Sequence, residues 1–180
     1  MALPSALYTL DFTHRSQMNQ QSIEIKKMTM DDLNEILSIE NILFPVPWSQ
    51  DVFLRELQLP ISRNLVAKIH KNVPNEISGY ITYWVLPGEV HVHKIAVRKD
   101  LQKSGIASIL MAEMIRLSCE ENAIFCVLEV GRSNEGAKKL YEKFGFRVTE
   151  VRSKYYAESG EDALVMCADL KNCLQLNPKA

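Results

Sequence analysis

The chain has 180 residues, 47% of them hydrophobic and 24% charged, which suits one domain with a real core, or a domain plus a short tail, and excludes a fibrous or disordered chain. Its 21 Lys+Arg against 22 Asp+Glu give a formal net charge of −1, so no overall positive field exists to hold a phosphate backbone, and no nucleic-acid partner is expected. No apolar run approaches the roughly 20 residues of a membrane-spanning helix, so no membrane partner is expected either.

Residues 1–22 read as a flexible N-terminal extension, 23–170 as the folded domain and 171–180 as a tail. The opening MALPSALYTLDFTHRSQ has no positive segment ahead of its apolar stretch and is interrupted by Pro4, Asp11 and His14, which argues against a secretory signal. Met18 is a candidate start. Ile23-Glu24-Ile25-Lys26-Lys27 then alternates like a half-buried strand. Thr29, with Asp32 three positions on, can cap a helix whose face carries Leu33, Ile36, Leu37 and Leu43. Phe44-Pro45-Val46-Pro47-Trp48 must break it, because each proline removes a backbone donor and extends its predecessor. Ser49 restarts a helix with Val52, Phe53 and Leu57 as its buried stripe.

Arg63 to Ile69 and Ile77 to Val85 are rich in β-branched and aromatic residues, and the polar Lys71-Asn72-Val73-Pro74-Asn75 between them predicts a hairpin. A strand from Glu89 to Val97 follows, and then a helix to about Glu121 with Ile106, Leu110, Met114 and Leu117 at helical spacing. Phe125 to Val130 is almost wholly apolar and predicts a strand buried on both faces. The next helix carries Ala137, Leu140, Tyr141 and Phe144 and stops at Gly145; Phe146 to Tyr155 and Asp162 to Ala168 close the chain as a strand pair. The order β-α-α-β-β-β-α-β-α-β-β is an α/β layout with parallel and antiparallel neighbours.

Cys119, Cys126, Cys167 and Cys173 contain no C-x-x-C pair, so they read as reduced, mostly buried thiols of a cytosolic protein. His91 and His93 alternate on one strand, but no third ligand stands at a persuasive spacing, so pocket or core histidines are expected and no metal. Gln102-Lys103-Ser104-Gly105-Ile106-Ala107 lies between a strand and a long helix, where free N–H groups and the helix dipole favour an anion such as a pyrophosphate. An ordinary packed helix start fits those six residues equally well. Neither G-x-x-x-x-G-K-[ST] nor G-x-G-x-x-G is present, which removes support for nucleotide hydrolysis and for hydride transfer.

Ile95-Ala96-Val97, the Gln102 to Ala107 turn, and Asn134 to Phe146 read as N-x6-Y-x3-G-F together resemble the GNAT superfamily of acyl-CoA-dependent N-acetyltransferases. Phe44 to Ser49, Leu128-Glu129-Val130, Ser133-Asn134, Leu140-Tyr141-Glu142, Tyr155-Tyr156 and Gly160 to Ala163 resemble its RimI group, which acetylates the N-terminal alanine of a small-subunit ribosomal protein. The resemblance runs from about Ile23 to Asp169. It implies a mixed, mostly antiparallel sheet of six to seven strands with helices on both faces. It further implies acetyl-CoA as donor and a protein N-terminus, that of a small-subunit ribosomal protein, as acceptor. Backbone groups of Ile95, Ala96 and Val97 would hold the pantetheine arm and thioester. Lys103, Ser104, Gly105, Ile106, Ala107 and Ser108 would wrap the pyrophosphate. Asn134 matches a cofactor-contacting Asn, Glu129 the general base and Tyr141 the general acid. Phe44 to Ser49 and Tyr155-Tyr156 would flank the acceptor groove. Lys94 departs from the pattern, since the family often has Asn there.

The chemistry is consistent with those types. A carboxylate can take the proton of an attacking amine, and Glu129 within Cys126-Val127-Leu128-Glu129-Val130 would lose hydration among apolar neighbours, which penalises its charged form. Without the resemblance, a solvated or salt-bridged strand-end carboxylate reads better. A phenol can protonate a departing thiolate, although Tyr141 also fits a core aromatic beside Leu140 and Phe144. A strand N–H such as that of Val97 suits the oxyanion. Glu40, Glu158, Glu161 and Asp162 could attract basic residues after the target alanine, or form a solvated acidic rim. The alternatives are a GNAT acting on a small amine, an antibiotic or a lysine side chain, and a noncatalytic acyl-CoA-binding module.

Overall fold

The computed structural model describes residues 6–10, 21–70 and 76–171. The candidate start Met18 and the turn at 71–75 lie outside the described residues, as does nearly all of the tail. In chain order the elements are β1 (Ala6–Leu10), β2 (Gln21–Lys27), α1 (Leu33–Leu43), α2 (Gln50–Gln58), β3 (Ser62–His70), β4 (Glu76–Leu86), β5 (Glu89–Val97), α3 (Ile106–Glu120), β6 (Phe125–Gly131), α4 (Glu135–Lys143), β7 (Arg147–Tyr156) and β8 (Glu161–Asp169). The strands form one sheet in the order β1-β2-β3-β4-β5-β6-β8-β7. It has one strand more than expected, because the extension contributes β1, which pairs antiparallel with β2 from Ala6↔Ile25 to Leu10↔Gln21. An exposed edge of β2 is covered in this way, which a flexible extension would not do.

Contacts divide the chain into two compact units, Met1–Thr82 with Lys94–Glu113, and Tyr83–His93 with Met114–Ala180. In the first, Asp32 accepts a hydrogen bond from the Thr29 N–H at 2.8 Å and from its hydroxyl at 3.0 Å, the predicted cap realised ahead of a short 3₁₀ turn. Ser49 precedes α2, as its spacing predicts. Leu33, Ile36 and Phe53 pack with Val66, Ile77 and Tyr80, and Phe53 meets the rings of Trp48 and Tyr80 edge-on at 5.4 and 5.7 Å. Gly79 in β4 is required sterically: a Cβ there would lie 2.6 Å from the Ala96 carbonyl oxygen of β5.

In the second unit β5 and β6 pair in parallel over Glu89–Val92 and Phe125–Leu128, and β6 then pairs antiparallel with β8 along its whole length. The structure corrects the reading of β6. Cys126, Leu128 and Val130 are buried, but Phe125 and Glu129 on the other face are exposed, so the strand alternates and only one face is covered. α4 ends as predicted, with Gly145 at φ 81° and its N–H on the Glu142 carbonyl. β7 is exposed at every residue and is irregular twice, between Val148 and Glu150 and between Arg152 and Tyr156; Lys154 lies in the second irregularity at φ 53°. Cys119 is disulfide-bonded, which corrects the expectation of reduced thiols throughout; Cys126 and Cys167 are free. The sequence has no short Cys spacing that would signal a bond between distant cysteines.

Candidate active site

The first unit contains the turn that leads into α3. Lys103 at φ 63° and Gly105 at φ 95° turn the chain into α3, and the Ser104 hydroxyl closes the turn on the Leu101 carbonyl at 2.5 Å. The first bond into the helix is the Ile109 N–H on the Gly105 carbonyl, so the amides of Ile106, Ala107 and Ser108 precede the internal ladder, the position at which a helix start can accept an anion. Left-handed backbone is uncommon for a side-chain-bearing residue, and Lys103 shares it with Asn122 and Lys154. Ile95, Ala96 and Val97 end β5, and Gln102 donates to the Val97 carbonyl at 3.3 Å, tying the turn back to that segment. On its β6 side β5 is paired only as far as Val92.

The same unit contains a charged cluster that sequence reasoning missed. Glu40 of α1 has 0% exposure, and its carboxylate accepts from the Trp48 backbone N–H at 2.7 Å, from Lys94 Nζ at 2.7 Å and from the Tyr80 hydroxyl. The Lys94 ammonium lies 4.0 Å from the centre of the Phe44 ring and 5.0 Å from that of Trp48. Burial lowers its pKa, and the Glu40 hydrogen bond and charge partly oppose that. Glu40 is thus neither a solvated rim residue nor available to basic residues of a substrate.

In the second unit Glu129 is 34% exposed and forms an ion pair with Arg152, while the Tyr155 hydroxyl donates to its other oxygen at 3.2 Å. The expected burial among Val127, Leu128 and Val130 fails for the alternation already described. The extra residues between Arg152 and Tyr156 carry Tyr155 to this carboxylate, and the Tyr155 and Tyr156 rings meet at right angles, 5.3 Å apart. Tyr141 is buried and packs on Phe146 at 5.9 Å; burial raises its pKa, and the neighbouring Tyr156 and Cys126 add to the rise, so it holds its proton throughout the neutral range. The core and proton-donor readings of Tyr141 remain compatible. Asn134 caps α4, its side-chain oxygen accepting from the Ala137 N–H at 3.1 Å.

The remaining acidic residues have internal tasks. Glu161 accepts from the Ser133 N–H at 2.6 Å, which lowers its pKa, and its carboxylate oxygens lie 3.1 Å from where a Cβ on Gly131 would stand. Asp162 accepts from the Lys154 N–H at 3.0 Å and faces Arg132 at 3.4 Å. Glu158 is exposed. His91 pairs with Glu89 at 2.7 Å and the His93 ring packs on Trp84, centroids 4.2 Å apart. Among the described residues no group of His, Cys, Asp or Glu could hold a metal ion. No described helix is long and apolar enough to cross a membrane.

The model of the Acetyltransferase (GNAT) family matches residues 33–146, and the chain belongs to that family. It is an N-acetyltransferase of GNAT type that uses acetyl-CoA as donor, and its α/β sheet is the GNAT fold. Within the family it is similar to a protein of Bacillus subtilis (strain 168) provisionally named as a [ribosomal protein bS18]-alanine N-acetyltransferase, 32% identical over 143 residues, covering 79% of this chain and 92% of that one. It is also similar to an N-alpha-acetyltransferase of Saccharolobus solfataricus, 32% identical over 155 residues and covering 81% and 92%. The crystal structure of the ribosomal-protein-S18-alanine N-acetyltransferase from Escherichia coli superposes with a TM-score of 0.73 at 27% identity, covering 82% of this chain and 94% of that one.

Proposed function

We propose that this enzyme acetylates the α-amine of a protein N-terminus, specifically the N-terminal alanine of a small-subunit ribosomal protein in the cytoplasm. The acceptor in this reading follows the relatives, which are named for N-terminal and ribosomal-protein-alanine acetylation. The observation that carries the site assignment is the turn at Lys103 and Gly105, whose left-handed backbone brings the chain from the end of β5 into the start of α3, where the first amides precede the internal ladder. Lys103 to Ser108 then bind the pyrophosphate of the donor, and the backbone of Ile95, Ala96 and Val97 binds the pantetheine arm and thioester. The end of the β5 ladder at Val92 supports this, because backbone not committed to β6 can bond a ligand. Asn134 contributes its amide N–H₂ to the donor while its oxygen caps α4.

The reaction is direct. The neutral amine attacks the thioester carbonyl carbon, Glu129 accepts the amine's proton, and the Val97 N–H donates to the developing oxyanion. The tetrahedral adduct then collapses: the C–S bond breaks, Tyr141 gives its proton to the departing sulfur and is reprotonated through solvent by the proton that Glu129 took, yielding the amide and free coenzyme A. The exposure of Glu129 supports transfer through water, and the retained proton of Tyr141 supports a donor role. Peptides beginning with alanine, peptides with a blocked N-terminus and an internal lysine, and small amines, each incubated with acetyl-CoA and read by mass spectrometry, test the acceptor. Acetylation at the N-terminus is expected; modification of lysine or small amines alone overturns the reading.

A further inference from the structure

Lys94 immediately precedes the Ile95–Val97 segment to which the proposed function assigns the thioester, so it stands next in the chain to the backbone at which the acceptor amine would attack. That neighbourhood is already filled. The Lys94 side chain is 10% exposed, its ammonium is held 2.7 Å from Glu40, and the Phe44 and Trp48 rings cover it. Glu40 in turn has its oxygens occupied by Trp48, Tyr80 and Lys94, so the stem of Lys94 is fixed in place rather than free to swing aside.

Resting on the N-terminal acceptor reading, we infer that Lys94, pinned by Glu40 beneath Phe44 and Trp48, is a specificity-determining residue that restricts the acceptor to small first side chains. It acts by occupied volume. Its charge serves to fix it to Glu40, and the pair as a whole is neutral toward the incoming amine.

The test measures kcat/KM for otherwise identical peptides beginning with Ala, Met or Leu, in wild type, Lys94→Met and the double variant Glu40→Gln/Lys94→Ala. The double variant opens the space without stranding a buried carboxylate. Wild type is expected to favour Ala over Met and Leu by at least about tenfold, and the double variant to erase about tenfold or more of that ratio, the scale at which a pocket discriminates a methylene or more. Lys94→Met loses the Glu40 bond and some stability but keeps an unbranched side chain packed on the Phe44 and Trp48 rings, so its folded fraction should keep most of the ratio. Glu40→Gln/Lys94→Val, which retains apolar contact with Phe44 and Trp48, should relax the ratio in part and stands in if the alanine variant does not fold. Each ratio is taken on one preparation, so it is independent of the fraction folded. An unmoved ratio in the folded double variants, or an equal loss in Lys94→Met, overturns the inference while leaving the acceptor reading intact. A wild-type enzyme that acetylates no N-terminus removes both.

Discussion

Glu40 and Glu129 invert the roles that their neighbours in the chain suggest. Glu129 stands in an apolar strand and is open to water, with Arg152 and Tyr155 as partners; Glu40 stands on a helix among the exposed Ser38, Asn41 and Ile42 and has no exposure at all. What separates them is partner supply. Three donors from three different segments converge on Glu40, enough to replace its water, whereas the single cation at Glu129 leaves hydration to complete the shell. A carboxylate that keeps its water can exchange protons; one that has lost it to fixed donors serves as a structural anchor.

Four substitutions and one titration sharpen that contrast. The largest effect is expected at the open carboxylate: Glu129→Gln should lower kcat by about 10²- to 10⁴-fold, the scale of a lost general base, with the acetyl-CoA dissociation constant by calorimetry unchanged. Equal turnover in the variant would remove the assignment. At the closed carboxylate, Lys94→Ala should cost about 3 to 5 kcal/mol in urea unfolding, because it strands a buried charge. Gly79→Ala should cost about 1 to 3 kcal/mol, since the new methyl meets the Ala96 carbonyl, and should raise the KM for acetyl-CoA by displacing the segment proposed to bind it.

Alkaline titration tests the burial of Tyr141. Its pKa is raised above the ordinary 10.0, so the unfolded chain ionises first as pH climbs past 10.0; the folded state then holds the extra proton, and stability falls with pH. The loss from this residue is about 1.4 kcal/mol per pH unit until the folded hydroxyl itself ionises, and Tyr141→Phe should flatten that part of the curve. The smallest effect belongs to Arg152→Ala. Its pair is half-exposed, so the stability change should stay within about 1 kcal/mol.

Much of this was legible locally. The bounds of β5, the stop of α4 at Gly145 and the turn before α3 follow from periodicity, from the freedom of glycine and from helix-end chemistry, all encoded within a few adjacent residues. The Glu40 to Lys94 bond was not, because its partners stand 54 residues apart and neither carries a local signature. β6 misled for a different reason: Val127 shares the outward face with Phe125 and Glu129, so composition resembled a doubly covered strand where only the face of Cys126, Leu128 and Val130 is covered. The strand at Ala6–Leu10 escaped notice because five residues with no alternation of polarity show their pairing only once β2 is in place.

The terminal position of β7 in the sheet has a consequence for behaviour at high concentration. A long, outermost ribbon that displays Val148 and Val151 would ordinarily invite a neighbouring molecule to zip onto its unsatisfied amides and carbonyls. The two kinks, with the left-handed backbone at Lys154 in the second and the charges of Arg147, Glu150, Arg152 and Lys154 strung between the valines and tyrosines, deny such a visitor a straight template. The irregularity that carries Tyr155 to Glu129 therefore also leaves the rim without the straight edge that strand addition uses.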